Sequence, residues 1–358
     1  MTLVGYLSRL FLMRFLAVLL ALSTLVELLD LLDAIRRLLG PHSDPLNAMT
    51  FSLLRLPLAI EQLFLLAVLL GAILAFRSLV QNNEIDMLRA AGMSPYRLLA
   101  CLLPLAGGLA VSYFLIVDRV APAAERAFAE WWSTVSPDSD ENDVEAVQRL
   151  LWLRAGREII SLAAVENDGR RLVNVTRYQR DEGGLLARRI QAAAAEFDGV
   201  SWRLDDVEIL CITPDGAVGE HRGAMPWEDA PTVRNFREIA LPTERLTSGK
   251  SHKVLVGEWA GAAPGAHYRT LVQKSLCSPV LPLLMLLLAM PAAKGGRRTG
   301  GMVRGIAIGL TMGLLFLVLN GVLLSMGEGG TLPAVVAVWS APAIFGILGT
   351  ALLLHNEE

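Results

Sequence analysis

The chain has 358 residues, of which 53% are hydrophobic and 19% charged. Its mean hydropathy of +0.47 is too high for an ordinary soluble protein. The formal net charge of −3 gives no electrostatic reason to expect a nucleic acid as a partner. The three cysteines and five histidines are dispersed, so we expect no disulfide framework, no metal site, no bound cofactor and no catalytic residues.

Six apolar segments are long enough to cross a membrane, because a helix needs about 20 apolar residues to span ~30 Å of hydrocarbon. They are residues 10–32, 56–77, 98–118, 272–293, 303–325 and 332–354. A polar region separates the first three from the last three. The sequence therefore predicts an α+β membrane protein with three domains. These are residues 1–118, an extracytoplasmic β domain at 119–271, and residues 272–358.

The orientation follows from the basic residues in short loops. Two such loops are rich in arginine and lysine, "RSLVQNNEIDMLRAAGMSPYR" after the second segment and "KGGRRTGGMVR" after the fourth. The positive-inside rule places both loops in the cytoplasm and the middle region outside. Arg36, Arg37 and Arg55 then fall on the outer side, against the rule, and need a separate explanation.

The middle region has the patterns of an antiparallel β domain. The stretch "GVSWRLDDVEILCI" alternates with the period of two that is typical of a half-buried strand. Asp-Gly pairs at 168–169, 198–199 and 215–216 lie between such runs and predict hairpin turns. Before this region, "ERAFAEWW", Glu125 to Trp132, is predicted to extend the third helix outward.

The polar stretch between the second and third segments is the first candidate site. In "NNEIDMLRAAG", Asn83 can cap a helix, while Glu84 and Asp86 suit its positive N-terminal end. Gly92 suits a C-terminal stop. We predict a short cytoplasmic helix at about 82–93. It either docks a soluble partner or is an amphipathic connector resting on lipid headgroups, and the residues alone leave both interpretations open.

The outer end of the first segment is the second candidate. Glu27, Asp30, Asp33, Arg36 and Arg37 recur there at helical spacings. Ionisable groups at membrane depth are costly and usually line a cavity or meet a ligand. The alternative is a solvated helix end, held by pairs such as Asp33 and Arg37 at i,i+4. That alternative fits the two arginines equally well, but it fits Glu27 and Asp30 less well.

A glycine face on the fifth segment is the third candidate. Gly301, Gly305, Gly309 and Gly313 recur every four residues. Small residues on one face allow another helix to approach closely in lipid. Structural packing is the simplest interpretation of this face. The spacing leaves open whether the neighbouring helix belongs to this chain or to another subunit.

The layout and several motifs together resemble the LptF/LptG permeases of the lipopolysaccharide export system. The most specific motif is "NNEIDMLRAAGMSPYRL", and "LLAVLLGAILAFRSL" and "GEGGTLP" are also similar to the family. The resemblance covers essentially the whole chain. The Leu- and Asp-rich first helix, with "LLDLLDAI", is more similar to the LptG branch than to LptF.

The resemblance implies the setting and the partners. The chain would lie in the inner membrane of a Gram-negative bacterium and pair with an LptF-like permease. It would bind an LptB ATPase dimer, which holds the ATP and magnesium, so this chain would not be an enzyme. LptC would join the complex, and LptA would carry lipopolysaccharide onward. The outward domain would be a β-jellyroll that continues the route of the lipid.

The resemblance also implies a role for the short cytoplasmic helix, which matches the coupling helix of the family. Glu84 matches the acidic residue at its start. Asp86, Met87, Arg89 and Gly92 belong to the same element. The helix would transmit the movement of the ATPase to the membrane helices.

The lipid contacts are implied in the same way. Arg36 and Arg37 match basic positions that meet lipid A phosphates, and the planar arginine fork suits phosphate oxygens. Asp30 stands where a further basic residue is expected, and Asp33 lies beside it. Acyl chains would contact the first, second and fifth helices, including Phe316. The glycine face would slide against the first helix of the partner permease and form a lateral gate.

Two other classes of function remain open at this point. A permease for a different lipid would share the same physical features. A non-transport scaffold or sensor would keep the β domain but would not need a coupling helix. A membrane enzyme has the least support, because the sequence contains no acid–base or metal-binding constellation.

Overall fold

The computed structural model describes most of the chain. The described residues are 3–38, 45–90, 95–135, 151–155, 158–181, 185–213, 216–227, 230–233, 235–236, 246–256, 263–293 and 301–355. The chain divides into two units. One is helical and combines Met1–Phe128 with Thr270–Glu358, and the other is Ala129–Arg269.

Long helices dominate the described part of the chain. In order they are α1 Leu3–Leu38, α2 Pro45–Gln81, α3 Glu84–Ala90, α4 Pro95–Leu115, α5 Ala121–Val135, α6 Ser248–Val256, α7 Gly265–Cys277, α8 Val280–Ala289, α9 Gly301–Glu328 and α10 Ala334–His355. A π-helical turn, Ile116–Val120, joins α4 to α5, and a 3-10 turn, Met290–Ala293, follows α8. Residues 125–132, which were predicted to extend the third helix, are helical and belong to α5. The outward direction of this extension stays a prediction.

The membrane-spanning helices agree with the prediction. Within the described residues, five helices are long and apolar enough to cross a membrane. The fourth predicted segment is the exception, because it bends by 58° between α7 and α8. Counting this bent pair as one span gives the six predicted helices, three before and three after the second unit in the order of the sequence.

The first two helices form a close antiparallel pair. Leu7, Phe11 and Phe15 recur every four residues and give α1 one buried stripe. The backbones approach closely at Gly71, where an added Cβ would lie 2.7 Å from the Cα of Phe15. The Phe11 ring meets the Phe76 ring edge-on, with centroids 5.0 Å apart. The two helices therefore offer little room for one to move without the other.

Helix α8 is the centre of the helical unit. It packs against α2, α4, α9 and α10. Most of its side chains are buried, namely Leu281, Pro282, Leu284, Met285, Leu286, Leu288 and Ala289. A helix that is apolar on all sides is expected at the core of a bundle, and this explains why the fourth segment is so uniformly hydrophobic.

The second unit contains an antiparallel sheet. Its strands are β1 Leu151–Ala155, β2 Glu158–Leu162, β3 Ala164–Glu166, β4 Arg171–Arg180, β5 Leu186–Phe197, β6 Trp202–Thr213 and β7 Gly216–Trp227. The order across the sheet is β1-β2-β4-β5-β6-β7, and the short strand β3 also pairs with β4. The predicted antiparallel β domain between the two groups of helices is confirmed. The finer expectation of a β-jellyroll stays a prediction.

The hairpin between β5 and β6 shows why an Asp-Gly pair makes a turn. Gly199 adopts a φ of 102°, which an L side chain rarely tolerates. The Asp198 carboxylate accepts hydrogen bonds from the backbone N–H groups of Val200 and Ser201, at 2.8 and 2.7 Å. These bonds favour the charged carboxylate and hold the pKa of Asp198 below its usual value.

A buried ion pair lies among the apolar side chains of the sheet. The Arg177 Nη2 donates to both carboxylate oxygens of Glu158 at 2.9 Å. The Gln179 amide donates to the same carboxylate at 2.7 Å. The Arg177 guanidinium also lies over the Trp227 ring, 4.8 Å from its centroid. The Arg177 side chain is only 5% exposed, so its charge depends on these partners.

Candidate functional site

The predicted cytoplasmic helix is present as α3, directly after α2. Two residues make the turn, and Asn83 adopts a φ of 59°, a conformation that asparagine tolerates better than most residues. The backbone N–H of Met87 donates to the Asn83 carbonyl oxygen at 3.1 Å, which starts the helix. Ile85 is buried, whereas the Met87 side chain is 61% exposed. We call Asn82–Ala90 the elbow.

The other predicted members of this site are placed by the backbone alone. Asp86 and Arg89 belong to α3, but their side chains lie outside the described part of the structure. Gly92 lies outside the described residues altogether. Their proposed roles at the ATPase-coupling helix stay predictions.

The elbow is fastened to the start of α1. The Tyr6 hydroxyl lies 3.1 and 3.0 Å from the two carboxylate oxygens of Glu84 and donates to that carboxylate. The Asn82 amide donates to Glu84 Oε1 at 3.2 Å. Two turns further along α1, the Arg14 guanidinium donates to the Ser78 hydroxyl at 3.1 Å. These contacts join the end of α2, the elbow and the N-terminal end of α1 into one connected element.

Tyr6→Phe is expected to loosen the elbow without unfolding the helices. The substitution removes one hydrogen bond to a carboxylate, which contributes on the order of 1 kcal/mol, so exchange of the α3 amide hydrogens should accelerate by about fivefold. Hydrogen exchange of the purified chain measures this. Thr350→Val is the matched control, because among the described residues the Thr350 hydroxyl bonds only within its own helix. Equal α3 exchange in wild type and Tyr6→Phe would show that the contact does not hold the elbow.

The C-terminal half of α1 contacts α2 through an ion pair. The Arg55 Nε donates to Asp30 Oδ2 at 2.9 Å. The Arg55 guanidinium carbon lies 5.6 Å from the Phe51 ring centroid and 5.7 Å from that of Phe128. Both carboxylate oxygens of Glu27, one turn before Asp30, are shielded from solvent without a hydrogen-bond partner of normal geometry among the described residues. Arg55 therefore supplies one positive charge beside two acidic residues, and it pairs directly with Asp30.

The remaining residues predicted at this end are placed by the backbone only. Asp33, Arg36 and Arg37 belong to α1, and their side chains lie outside the description. Arg37 follows Asp30 by seven positions, which places both residues on one face of the helix, about 10 Å apart along its axis. Asp30 binds within the chain, so any role in lipid recognition would act through Arg55.

The glycine face of the fifth predicted helix lies in α9 and packs within this chain. A Cβ added at Gly305 would collide with the carbonyl oxygen of Pro291, and one at Gly309 would lie 3.0 Å from that of Leu288. Gly313 faces the Leu69 side chain on α2. Gly301 begins α9, and its surroundings are not described. For Gly305, Gly309 and Gly313 the neighbouring segment therefore belongs to this chain. Sliding of the glycine face against a partner subunit stays a prediction.

Phe316 does not lie on a lipid-facing surface. Its side chain is 0% exposed, and its ring meets the Phe345 ring edge-on with centroids 5.5 Å apart. The prediction that Phe316 contacts an acyl chain is therefore not supported by its position in this structure. Its helical segment is apolar on several faces, so the sequence could not distinguish a core ring from a lipid-facing one.

Two polar contacts inside the helical unit were missed at the sequence level. Lys274 on α7 lies 3.3 Å from a carboxylate oxygen of Glu61 on α2. The Ser275 hydroxyl donates to Asp118 Oδ1 at 2.9 Å, and Asp118 lies in the π-helical turn. The signal was present, since Glu61, Asp118 and Lys274 are charges within or beside apolar segments, where ionisable residues usually have partners. The two contacts link α2 and the π-helical turn to α7, just before the 58° bend.

Comparison with known proteins identifies the class of permease. A model of the family "Lipopolysaccharide export system permease LptF/LptG" matches residues 5–355. The chain belongs to the LptF/LptG family. Two curated relatives are similar over almost their whole length. The LptG permease protein of Haemophilus influenzae is 26% identical over 98% of this chain and 95% of its own. That of Escherichia coli K12 is 22% identical over 94% and 93%.

Membership of the LptF/LptG family explains the architecture. The six apolar helices make the chain a multi-pass membrane protein, in agreement with its identity as a permease subunit. Both relatives carry the LptG name, which agrees with the predicted likeness to the LptG branch.

Proposed function

We propose that this chain is the LptG-type permease subunit of an ABC transporter that extracts lipopolysaccharide from the outer leaflet of the inner membrane. A separate LptB ATPase dimer would supply the energy, with ATP and magnesium held in that partner. The family match over residues 5–355 is the observation that carries the proposal. It is supported by relatives that are named as lipopolysaccharide export permeases across nearly the same length.

The elbow is the proposed coupling element. Met87 is exposed, and Glu84 retains unused acceptor positions, because a carboxylate offers about four lone-pair sites. A basic group of the ATPase would bind Glu84, and an apolar pocket would take Met87. Because Tyr6 and Arg14 fasten this region to α1, movement of the elbow would be passed to α1 as well as to α2.

The proposed partners follow the same scheme. An LptF-like permease would form the other half of a lipid cavity, LptC would join the membrane complex, and LptA would receive the lipid. The antiparallel β domain would lie in the periplasm and continue the route as a β-jellyroll. Arg36 and Arg37 would meet lipid phosphates at the rim of the cavity. Charge reversal at both is expected to weaken lipid binding to the purified complex.

The experiment is to purify the chain from native membranes and identify copurifying proteins and lipids by mass spectrometry. We expect an ATPase, a second permease and lipopolysaccharide with the wild type, and loss of the ATPase with Glu84→Arg. Glu328→Arg is the matched control, since it reverses one glutamate charge on a different helix, at the C-terminal end of α9. Purification without an ATPase, or with phospholipid as the only bound lipid, would contradict the proposal.

A further inference from the structure

Arg55 occupies a position that neither the orientation rule nor the family expectation explains. It lies in the outer part of α2, where positively charged residues are disfavoured. Its side chain is nevertheless held from three sides, by Asp30 at 2.9 Å and by the rings of Phe51 and Phe128. The side chain is still 39% exposed. Arg55 is thus a guanidinium held in one orientation with part of its side chain still exposed.

The contacts of Arg55 leave most of its donors unused. A guanidinium has five N–H groups in a planar fork, and only Nε donates to Asp30. Neither Nη1 nor Nη2 makes a hydrogen bond to the part of the chain that the structure describes. The two Nη groups form the edge of the fork that binds two oxygens of a phosphate. With Nε anchored and the plane held by two rings, this edge is already oriented for a ligand.

The charges around Arg55 change sign along α1. Glu27 and Asp30 form an acidic layer at the inner side of Arg55. Beyond them towards the outer end of the helix come one further acidic residue, Asp33, and then Arg36 and Arg37. The two arginines outnumber the one carboxylate beyond Asp30, whereas both charged residues on the inner side are acidic, so an anionic group approaches Arg55 more favourably from the outer side. This arrangement fits the headgroup of an amphiphile at the membrane surface, with its acyl chains in the hydrocarbon.

We propose that Arg55 binds a phosphate group of the transported amphiphile, and that Asp30 is the positioning residue that orients it. The inference rests on the proposed function, because it takes a phosphorylated glycolipid as the substrate. Asp30 stands where a basic residue was expected on α1. The positive charge is instead supplied from α2, and the carboxylate at position 30 is the anchor for it. A pair of residues on two helices thereby replaces a single basic side chain.

The test compares three lipids on one complex. The purified complex is placed in nanodiscs of phosphatidylethanolamine. Binding is then measured for lipopolysaccharide with its lipid A phosphates, for the same lipid after dephosphorylation, and for phosphatidylglycerol. Arg55→Gln is expected to weaken binding of the phosphorylated lipid by about tenfold, the loss of one charge-assisted hydrogen-bonded contact. Arg55→Lys should recover part of it, because the charge remains but the fork is lost.

Two controls separate binding from folding. Arg119→Gln removes the same charge from a side chain that is 76% exposed and 3.7 Å from its carboxylate partner, and it should leave binding within about twofold. Asp30→Asn keeps Arg55 but removes its charged anchor. It should weaken binding of the phosphorylated lipid and leave binding of the other two lipids unchanged. Thermal unfolding of the complex shows that each variant is folded.

The outcomes are distinct. A loss confined to phosphorylated lipopolysaccharide supports the assignment. Equal losses with and without the phosphates, or no loss in Arg55→Gln, overturn it. A loss confined to phosphatidylglycerol would assign the site to bulk phospholipid and overturn the substrate contact. If the wild type bound no lipopolysaccharide of either kind, the proposed function itself would fail, independently of Arg55.

Discussion

Gly305→Ala is expected to destabilise the helical unit by about 3 kcal/mol, at the upper end of the usual cost of overpacking. The added Cβ would meet the carbonyl oxygen of Pro291 and would lie 3.0 Å from its carbonyl carbon. A flexible side chain could move aside, but these are backbone atoms of the segment that follows α8. To relieve this clash, α9 would have to move away from the turn that follows α8. Thermal unfolding of the purified chain in detergent measures the loss.

Gly321→Ala is the matched control for this prediction. It lies on the same helix, and nothing approaches within 4 Å of its added Cβ. Because alanine is a better helix former than glycine, we expect no loss and a gain of up to about 1 kcal/mol. Similar unfolding temperatures for Gly305→Ala and Gly321→Ala would contradict the close contact between α9 and the turn after α8.

Glu158→Ala is expected to cost about 3 kcal/mol in the β domain. The substitution leaves the Arg177 guanidinium without its carboxylate, and that side chain is 5% exposed. Removal of one partner from a buried ion pair is much more costly than removal of both. Hydrogen exchange of the full chain measures this. The amides of β4 should exchange on the order of 100-fold faster, because 1.4 kcal/mol corresponds to about tenfold in the opening equilibrium.

Two comparisons test the cause of this effect. Glu220→Ala breaks an exposed pair, in which the two side chains are about half exposed, and should change exchange by less than about threefold. Glu158→Leu combined with Arg177→Met removes both charges and should recover most of the loss. If the double variant were as unstable as Glu158→Ala alone, the cost would come from lost packing rather than from an unpaired charge.

Features that depend on local patterns were predictable from the sequence. The length of the apolar segments predicted the membrane-spanning helices, because a helix satisfies its own backbone hydrogen bonds in lipid. The Asp198–Gly199 pair gave the β5–β6 hairpin, because glycine adopts the required φ. The sequence around Asn83 and Glu84 gave the position of α3. Each of these signals lies within one or two turns of chain.

The contacts that define the candidate sites were not predictable in this way. Arg55 and Asp30 are 25 residues apart, Tyr6 and Glu84 are 78 apart, and Lys274 and Glu61 are 213 apart. Each pair depends on how helices are packed, and a single sequence carries no signal for that. The same limitation explains Phe316, whose burial depends on the position of α10. The bend before α8 has a local signal, because Pro279 lies directly before that helix and proline interrupts helices, but its angle of 58° depends on packing.

The central claim is that an ATPase moves the lipid-binding helices through the elbow. The direct measurement is the amount of lipopolysaccharide released from proteoliposomes per ATP hydrolysed, for the wild-type complex and for Glu84→Gln. With the ATPase still attached, the account predicts at least a tenfold fall in release, the effect of losing one charged contact worth roughly 1.5–3 kcal/mol. Release at the wild-type ratio, with the ATPase bound, would contradict the account.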